Sequence, residues 1–243
     1  MNDPLHAQGA DAAGEVPGNV RHPPWLLIAL GALGIAFLLV AGIGALIDRG
    51  SQFRIDAAIM LWTRHGTAHG IPIGPLWVRA AMVDITALGG VTVLTLVTAI
   101  VAIFLALKRL WLTMTLILLS TISGAIAVSV AKSIVARPRP DLVDHLVTVN
   151  SASFPSGHAT SSAIVYLTIA AVIMQIVRGR PLRIYILSVA VLLVGAIGCS
   201  RVYLGVHWPS DVLTGWGFGA LWALMWWGIA AFVRIKRSAL QPG

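Results

Sequence analysis

The chain has 243 residues, 58% of them hydrophobic and only 11% charged, with a mean hydropathy of +0.87, which excludes an ordinary soluble domain and indicates a multi-span membrane protein. The formal net charge of +8 does not indicate a nucleic-acid partner, because the basic residues fall in short clusters between apolar runs and not along one face or tract. The single Cys199 leaves no internal disulfide, and no Cys/His spacing matches a zinc site, so neither a metal nor a cofactor is expected.

Residues 1–22, rich in Ala, Gly, Asp and Pro and without apolar periodicity, are expected to form a disordered tail. A single membrane-embedded domain is expected over 23–237, followed by a short C-terminal tail at 238–243. The uncharged run from Trp25 to Ile47 is long enough for a first span. Between Asp48 and Asp84, Ile55, Ala58, Ile59 and Trp62 recur at helical spacing while Arg54, Asp56 and Thr63 fall elsewhere on the wheel, which predicts an amphipathic helix lying in the interface. Gly70-Ile71-Pro72-Ile73-Gly74-Pro75 should break the chain, after which Leu76 to Val83 leads into the next span.

A second span is predicted from Ile85 to Leu107 and a third from Leu110 to Ala131, joined by Lys108-Arg109 and therefore antiparallel. The third carries many small or hydroxylated residues, among them Thr113, Ser120 and Gly124, as close helix packing in lipid favours. The fourth span is predicted from Ala159 to about Val177, a short fifth from Ile184 to about Gly198, and a sixth from Val212 to Val233. In the sixth, Gly215, Gly217 and Gly219 would allow a neighbour to approach closely. The fold class is thus an all-α, six-span transmembrane bundle with an added interfacial helix.

Six spans put both termini on one side. Arg21, Lys108-Arg109, Arg178 to Arg183 and Arg234 to Arg237 share that side, which the positive-inside rule makes cytoplasmic. The segments Lys132 to His158 and Ser200 to Asp211 then lie together on the outer face. Ionisable groups are costly inside a membrane, so this cluster is read as functional. Pro209 suits the first turn of a helix, with His207 just outside it and Asp211 one turn in, where the carboxylate can reach back to the imidazole and leave the other ring nitrogen free to attack. Lys132, Arg139 and Arg201 can neutralise a phosphate, while Ser156 and the backbone around Gly157 form an anion cradle at a helix start. His158 stands beside that anion, where it could protonate a departing oxygen.

These segments carry a resemblance. Lys132 with six residues before Arg139-Pro140, then Pro155-Ser156-Gly157-His158, then Ser200-Arg201 with five residues before His207 and three more before Asp211, resemble the three-part signature of the type 2 phosphatidic acid phosphatase and vanadium haloperoxidase superfamily. The likeness covers about Leu110 to Val233. It implies an integral membrane, metal-independent phosphatase acting on a lipid phosphate or diphosphate such as undecaprenyl diphosphate, phosphatidate or phosphatidylglycerol phosphate. It further implies that His207 forms a phosphohistidine, Asp211 orients it and His158 protonates the leaving group, with Lys132, Arg139, Ser156, Gly157 and Arg201 holding the phosphate. Arg137 is placed on the pocket rim, and Ser200 is assigned to packing. The expected setting is a bacterial cell membrane, with the site on its periplasmic or extracellular face, a lipid substrate, and no nucleic-acid partner. The competing class is a transporter that uses the same ionisable cluster to bind or relay ions.

Overall fold

The computed structural model describes residues 24–48, 54–66 and 70–239. The tail expected at 1–22 lies outside the described residues, as do residues 240–243. Eight helices account for most of the described chain: α1 Trp25–Asp48, α2 Arg54–Trp62, α3 Leu76–Ala87, α4 Val91–Leu107, α5 Trp111–Val135, α6 Gly157–Ile176, α7 Arg180–Tyr203 and α8 Pro209–Ala239. Five of them, α1, α5, α6, α7 and α8, are long and apolar enough to cross a membrane, and the bent pair α3 and α4 makes a sixth. The protein is an all-α, multi-pass membrane bundle.

Large apolar side chains are turned outward all along it: Leu27, Phe37, Val91, Leu107 and Leu192 are exposed. A bilayer solvates such a surface, so what holds the helices together is close packing inside. At the centre α6 packs against α8, with α7 and α5 on its flanks. Gly215 and Gly219 face α6 so closely that a methyl group at 219 would come within 2.6 Å of the Ala163 Cβ. Gly217 faces α1 instead, where an added Cβ would meet Leu39 at 2.7 Å.

The span predicted without interruption from Ile85 to Leu107 is broken. Helix α3 ends at Ala87, α4 begins at Val91, and their axes differ by 48°. Gly89 is the reason: a Cβ there would lie 2.5 Å from Ile197 and 3.4 Å from His158, so the backbone itself fills the gap against α6 and α7. The backbone groups freed by the break find partners, as they must in a membrane. Leu88, Gly89 and Gly90 donate to carbonyls three residues back, and the Leu88 carbonyl accepts from the Tyr166 hydroxyl at 2.8 Å.

Other spans also exceed their predicted bounds; the sixth, expected from Val212 to Val233, runs from Pro209 to Ala239. The one expected to start at Ile184 starts at Arg180, with Pro181 in the first turn, and runs on to Tyr203. The one expected to end at Ala131 continues to Val135, which places Lys132 inside a helix. Helix α2 exposes Ile55, Ile59 and Trp62, while its opposite face, with Asp56 and Met60, is buried against the bundle. Of the polar residues read on this segment, Asp56 and Thr63 therefore face the interior, while Arg54 is exposed.

Candidate active site

Three segments meet at one end of the bundle. The first is the end of α5. Ala136 takes a left-handed conformation at φ 45° and ψ 30°, and its N–H donates to the Lys132 carbonyl at 3.0 Å, so the helix stops and hands over to Arg137-Pro138-Arg139-Pro140. Lys132, one turn back, donates to the Ala152 carbonyl at 2.5 Å. Arg139 is half-buried and spreads its guanidinium over the Ser151 carbonyl at 2.7 Å, the Ser151 hydroxyl at 3.2 Å and the Val206 carbonyl at 2.6 Å.

Arg137 does not sit on the rim. It is 8% exposed, stacks over the Trp208 ring at 5.2 Å, and donates to Asp211 Oδ1 at 2.5 Å, the Ser210 hydroxyl at 2.8 Å and Asp56 Oδ2 at 3.1 Å. A guanidinium buried between two carboxylates is neutralised there and points away from a phosphate role.

The second segment starts α6. Ser156 is the residue before its first turn, and the Ser156 N–H donates to the Asp211 carbonyl at 3.1 Å. The Ser156 hydroxyl is fully buried and has no hydrogen-bond partner within the protein. A buried, unsatisfied hydroxyl is costly, and beside the open N–H groups of a helix start it is suited to receive an anion. A Cβ at Gly157 would come 3.6 Å from the Lys132 side chain, which therefore lies over this helix start. His158 follows, packed against Gly89 and Gly90 of the broken span.

The third segment joins α7 to α8. Arg201, in the last turn of α7, is 3% exposed and donates to the Thr86 hydroxyl of α3 at 2.9 Å. The Ser200 hydroxyl turns back to the Ile197 carbonyl of its own helix at 2.6 Å, as packing predicted. The chain then reverses through Gly205, whose φ of 78° and closeness to the Asp144 carbonyl, 2.7 Å from where a Cβ would stand, leave room for glycine alone. Pro209 opens α8, and Asp211 in its first turn accepts from the Trp208 N–H at 3.1 Å, a carboxylate closing the helix start.

His207 is 2% exposed and Asp211 fully buried. The ring's Nδ1 lies 3.6 Å from Asp211 Oδ2, longer than a hydrogen bond, and 3.4 Å from the Ser153 hydroxyl, which itself donates to Asp211 Oδ2 at 2.5 Å. The carboxylate thus reaches the imidazole in company with a serine that the sequence did not single out. Nε2, on the other side of the ring, lies 3.4 Å from Arg139. Burial pushes the His207 imidazole down from 6.5 to about 4, against the pull of Asp211, while the charges of Arg139 and Arg201 lower it further. Burial likewise holds Arg139 below its ordinary value, with Asp211 acting the other way.

His158 lies within electrostatic reach of Arg201, His207, Lys132 and Arg139, and Lys132 within reach of Arg139, Asp211 and Arg201. All eight residues singled out from the sequence, Lys132, Arg139, Ser156, Gly157, His158, Arg201, His207 and Asp211, belong to this one end of the bundle. Sequence reasoning missed Ser153, Thr86 and Asp56. Of the three only Asp56, an acidic residue in a membrane protein, carried a signal. Among Lys132, Arg137, Arg139, Arg201, Asp56 and Asp211, four cations stand against two carboxylates, which leaves two positive charges for an incoming anion. That equals the charge of a phosphate monoester dianion.

Comparison with known proteins agrees with this chemistry. The family model of the PAP2 superfamily matches residues 113–234. The chain is 36% identical to phosphatidylglycerophosphatase B of Bacillus subtilis over 151 residues, covering 60% of this chain and 71% of that one. It is 41% identical over 102 residues to decaprenylphosphoryl-5-phosphoribose phosphatase of Mycobacterium tuberculosis, covering 41% of this chain and 50% of that relative. Among solved structures, the transmembrane PAP2 type phosphatidylglycerolphosphate phosphatase from Bacillus subtilis superposes with a TM-score of 0.67 at 27% identity, over 86% of this chain and 96% of that one.

Proposed function

The chain belongs to the PAP2 superfamily, and on that premise we propose that it hydrolyses a lipid phosphate or diphosphate monoester through a phosphohistidine intermediate, without a metal ion. The observation that carries this reading is that Arg139 stands 3.4 Å from His207 Nε2, that Lys132 lies over the start of α6 where His158 sits, and that Arg201 lies within electrostatic reach of both rings. In this mechanism the three cations and the start of α6 take the phosphate oxygens, supplying the charge that a divalent ion supplies in other phosphoryl-transfer sites. His207 Nε2 attacks phosphorus while Asp211 and Ser153 hold Nδ1, and the phosphorus–oxygen bond to the lipid breaks as His158 gives that oxygen a proton. Water, deprotonated by His158, then attacks the phosphohistidine; inorganic phosphate leaves and the His207 lone pair is restored.

The substrate class is a phosphorylated membrane lipid: phosphatidate, phosphatidylglycerol phosphate, undecaprenyl diphosphate or a related molecule. A headgroup phosphate reaches the end of the bundle while its tail stays in the bilayer. The matched relatives are named as phosphatases of a glycerolipid phosphate and of a decaprenyl-linked sugar phosphate. The site faces the periplasm or the outside, with both termini cytoplasmic. Three basic groups support that orientation, since Lys108-Arg109, Arg178 to Arg183 and Arg234 to Arg237 flank the opposite ends of α4 to α8.

The test is phosphate release by purified protein from a panel of these lipids in detergent. Release from at least one is expected, with loss in His207→Ala and in His158→Ala while elution profile and unfolding midpoint stay unchanged. Wild-type rates in either folded variant rule out the assignment. A folded protein that moves an anion across liposomes yet releases no phosphate turns the reading to transport.

A further inference from the structure

Helix α2 lies outside the three-part signature and outside the matched residues 113–234, yet one of its side chains reaches the centre. Asp56 is 1% exposed. Its Oδ2 accepts from Arg137 at 3.1 Å and from the Ser210 hydroxyl at 2.5 Å, and its Oδ1 accepts from the Ser210 N–H at 2.8 Å. The Asp56 carboxylate is therefore fixed to the first turn of α8, next door to Asp211. The same Arg137 that it holds through Nη2 gives Nη1 to Asp211 Oδ1 at 2.5 Å.

We propose that Asp56 is a positioning residue for His207: it fixes the plane of the Arg137 guanidinium, which in turn fixes the Asp211 carboxylate that faces the ring. A guanidinium is rigid and planar, so anchoring one arm on Asp56 sets where the other arm meets Asp211. With Oδ1 taken by Arg137, only Oδ2 is left for the Trp208 N–H, the Ser153 hydroxyl and the His207 Nδ1 side. That arrangement keeps the Nδ1–H tautomer and leaves Nε2 facing Arg139 and the anion site. Without Asp56, Nη2 of a buried arginine loses its carboxylate, and the guanidinium plane that meets Asp211 loses one of its anchors.

The inference rests on the hydrolase reading above for its kinetic arm but has a second readout that does not. Asp56→Asn and Asp56→Glu are purified alongside wild type and His207→Ala, and phosphate release in mixed micelles, from the lipid of the panel above that wild type hydrolyses fastest, is measured as kcat and KM. The nitrogen-15 ring shifts of His207, assigned with His207→Ala, report its tautomer in each protein. Folded Asp56→Asn is expected to lose about tenfold to a hundredfold in kcat, with KM within about twofold of wild type, and to show a mixed His207 tautomer. A wild-type kcat, or a lowered kcat with unchanged ring shifts, overturns the proposal. If Asp56→Asn does not fold, Asp56→Glu decides on the same two criteria, and failure of both to fold makes Asp56 structural and likewise overturns it. If wild type itself releases no phosphate the hydrolase reading fails, and the ring shifts alone decide whether Asp56 positions His207.

Discussion

The Ser153 hydroxyl donates to Asp211 Oδ2 at 2.5 Å and stands 3.4 Å from the His207 ring, closer than the 3.6 Å that separates His207 from the carboxylate itself. Of these two polar partners of Nδ1, the nearer is thus a serine two positions before the Pro155-Ser156-Gly157-His158 segment. Ser153→Ala is expected to lower kcat about tenfold while leaving KM nearly unchanged, since a net hydrogen bond to a charged group contributes about 1.5–3 kcal/mol and only part of that bears on the reacting state. Steady-state kinetics of the folded variant check this; a selective rise in KM would place Ser153 on the substrate instead.

The His207 ring must be unprotonated to attack. Its buried setting lowers its pKa from 6.5 to about 4, so the neutral, reactive form persists as pH falls past the usual histidine range and is lost only as pH drops through about 4. Single-turnover phosphorylation of His207, corrected for the ionisation of the substrate phosphate and of the proton donor His158, should lose no rate from about pH 7 to about pH 5 and fall by half near 4. An acid limb centred at 6.5 would contradict the burial argument.

Because guanidinium and ammonium groups take the phosphoryl charge in the proposed mechanism, saturating chelator should leave kcat within about twofold of its untreated value. Vanadate, which adopts the five-coordinate geometry of phosphoryl transfer, should inhibit competitively, and Arg201→Ala should weaken that inhibition. Restoration of activity by added divalent metal after chelation is the result that would refute metal independence.

Much of the architecture was legible because a bilayer imposes it. A hydrocarbon core of about 30 Å needs about 20 apolar residues per crossing, so the runs predicted from Trp25, Leu110 and Val212 stood out despite uncertain ends. The direction of successive spans then put Lys132, His158 and His207 at the same level. The break at Gly89-Gly90 was hidden because glycine is common within membrane helices, and only the nearness of Ile197 and His158 reveals why the chain bends there. Arg137 and Arg139 flank a proline in the same short segment, and spacing alone does not say which one turns to Asp211. Ser153, Thr86 and Asp56 gain their meaning from partners 58, 115 and 154 residues away, distances at which a sequence pattern carries no information about contact.

The seam between α6 and α8 has a mechanical consequence. His158 rides the first turn of one helix, and His207 is tied to the first turn of the other through Asp211. Lower in the membrane the two backbones touch across Gly215 and Gly219, where any side chain would collide with Thr160 or Ala163. The opening between the two rings is therefore gauged from below, like the jaws of a caliper whose hinge is bare main chain. Widening the hinge by one methyl group would alter the span across which a single phosphorus atom must be passed.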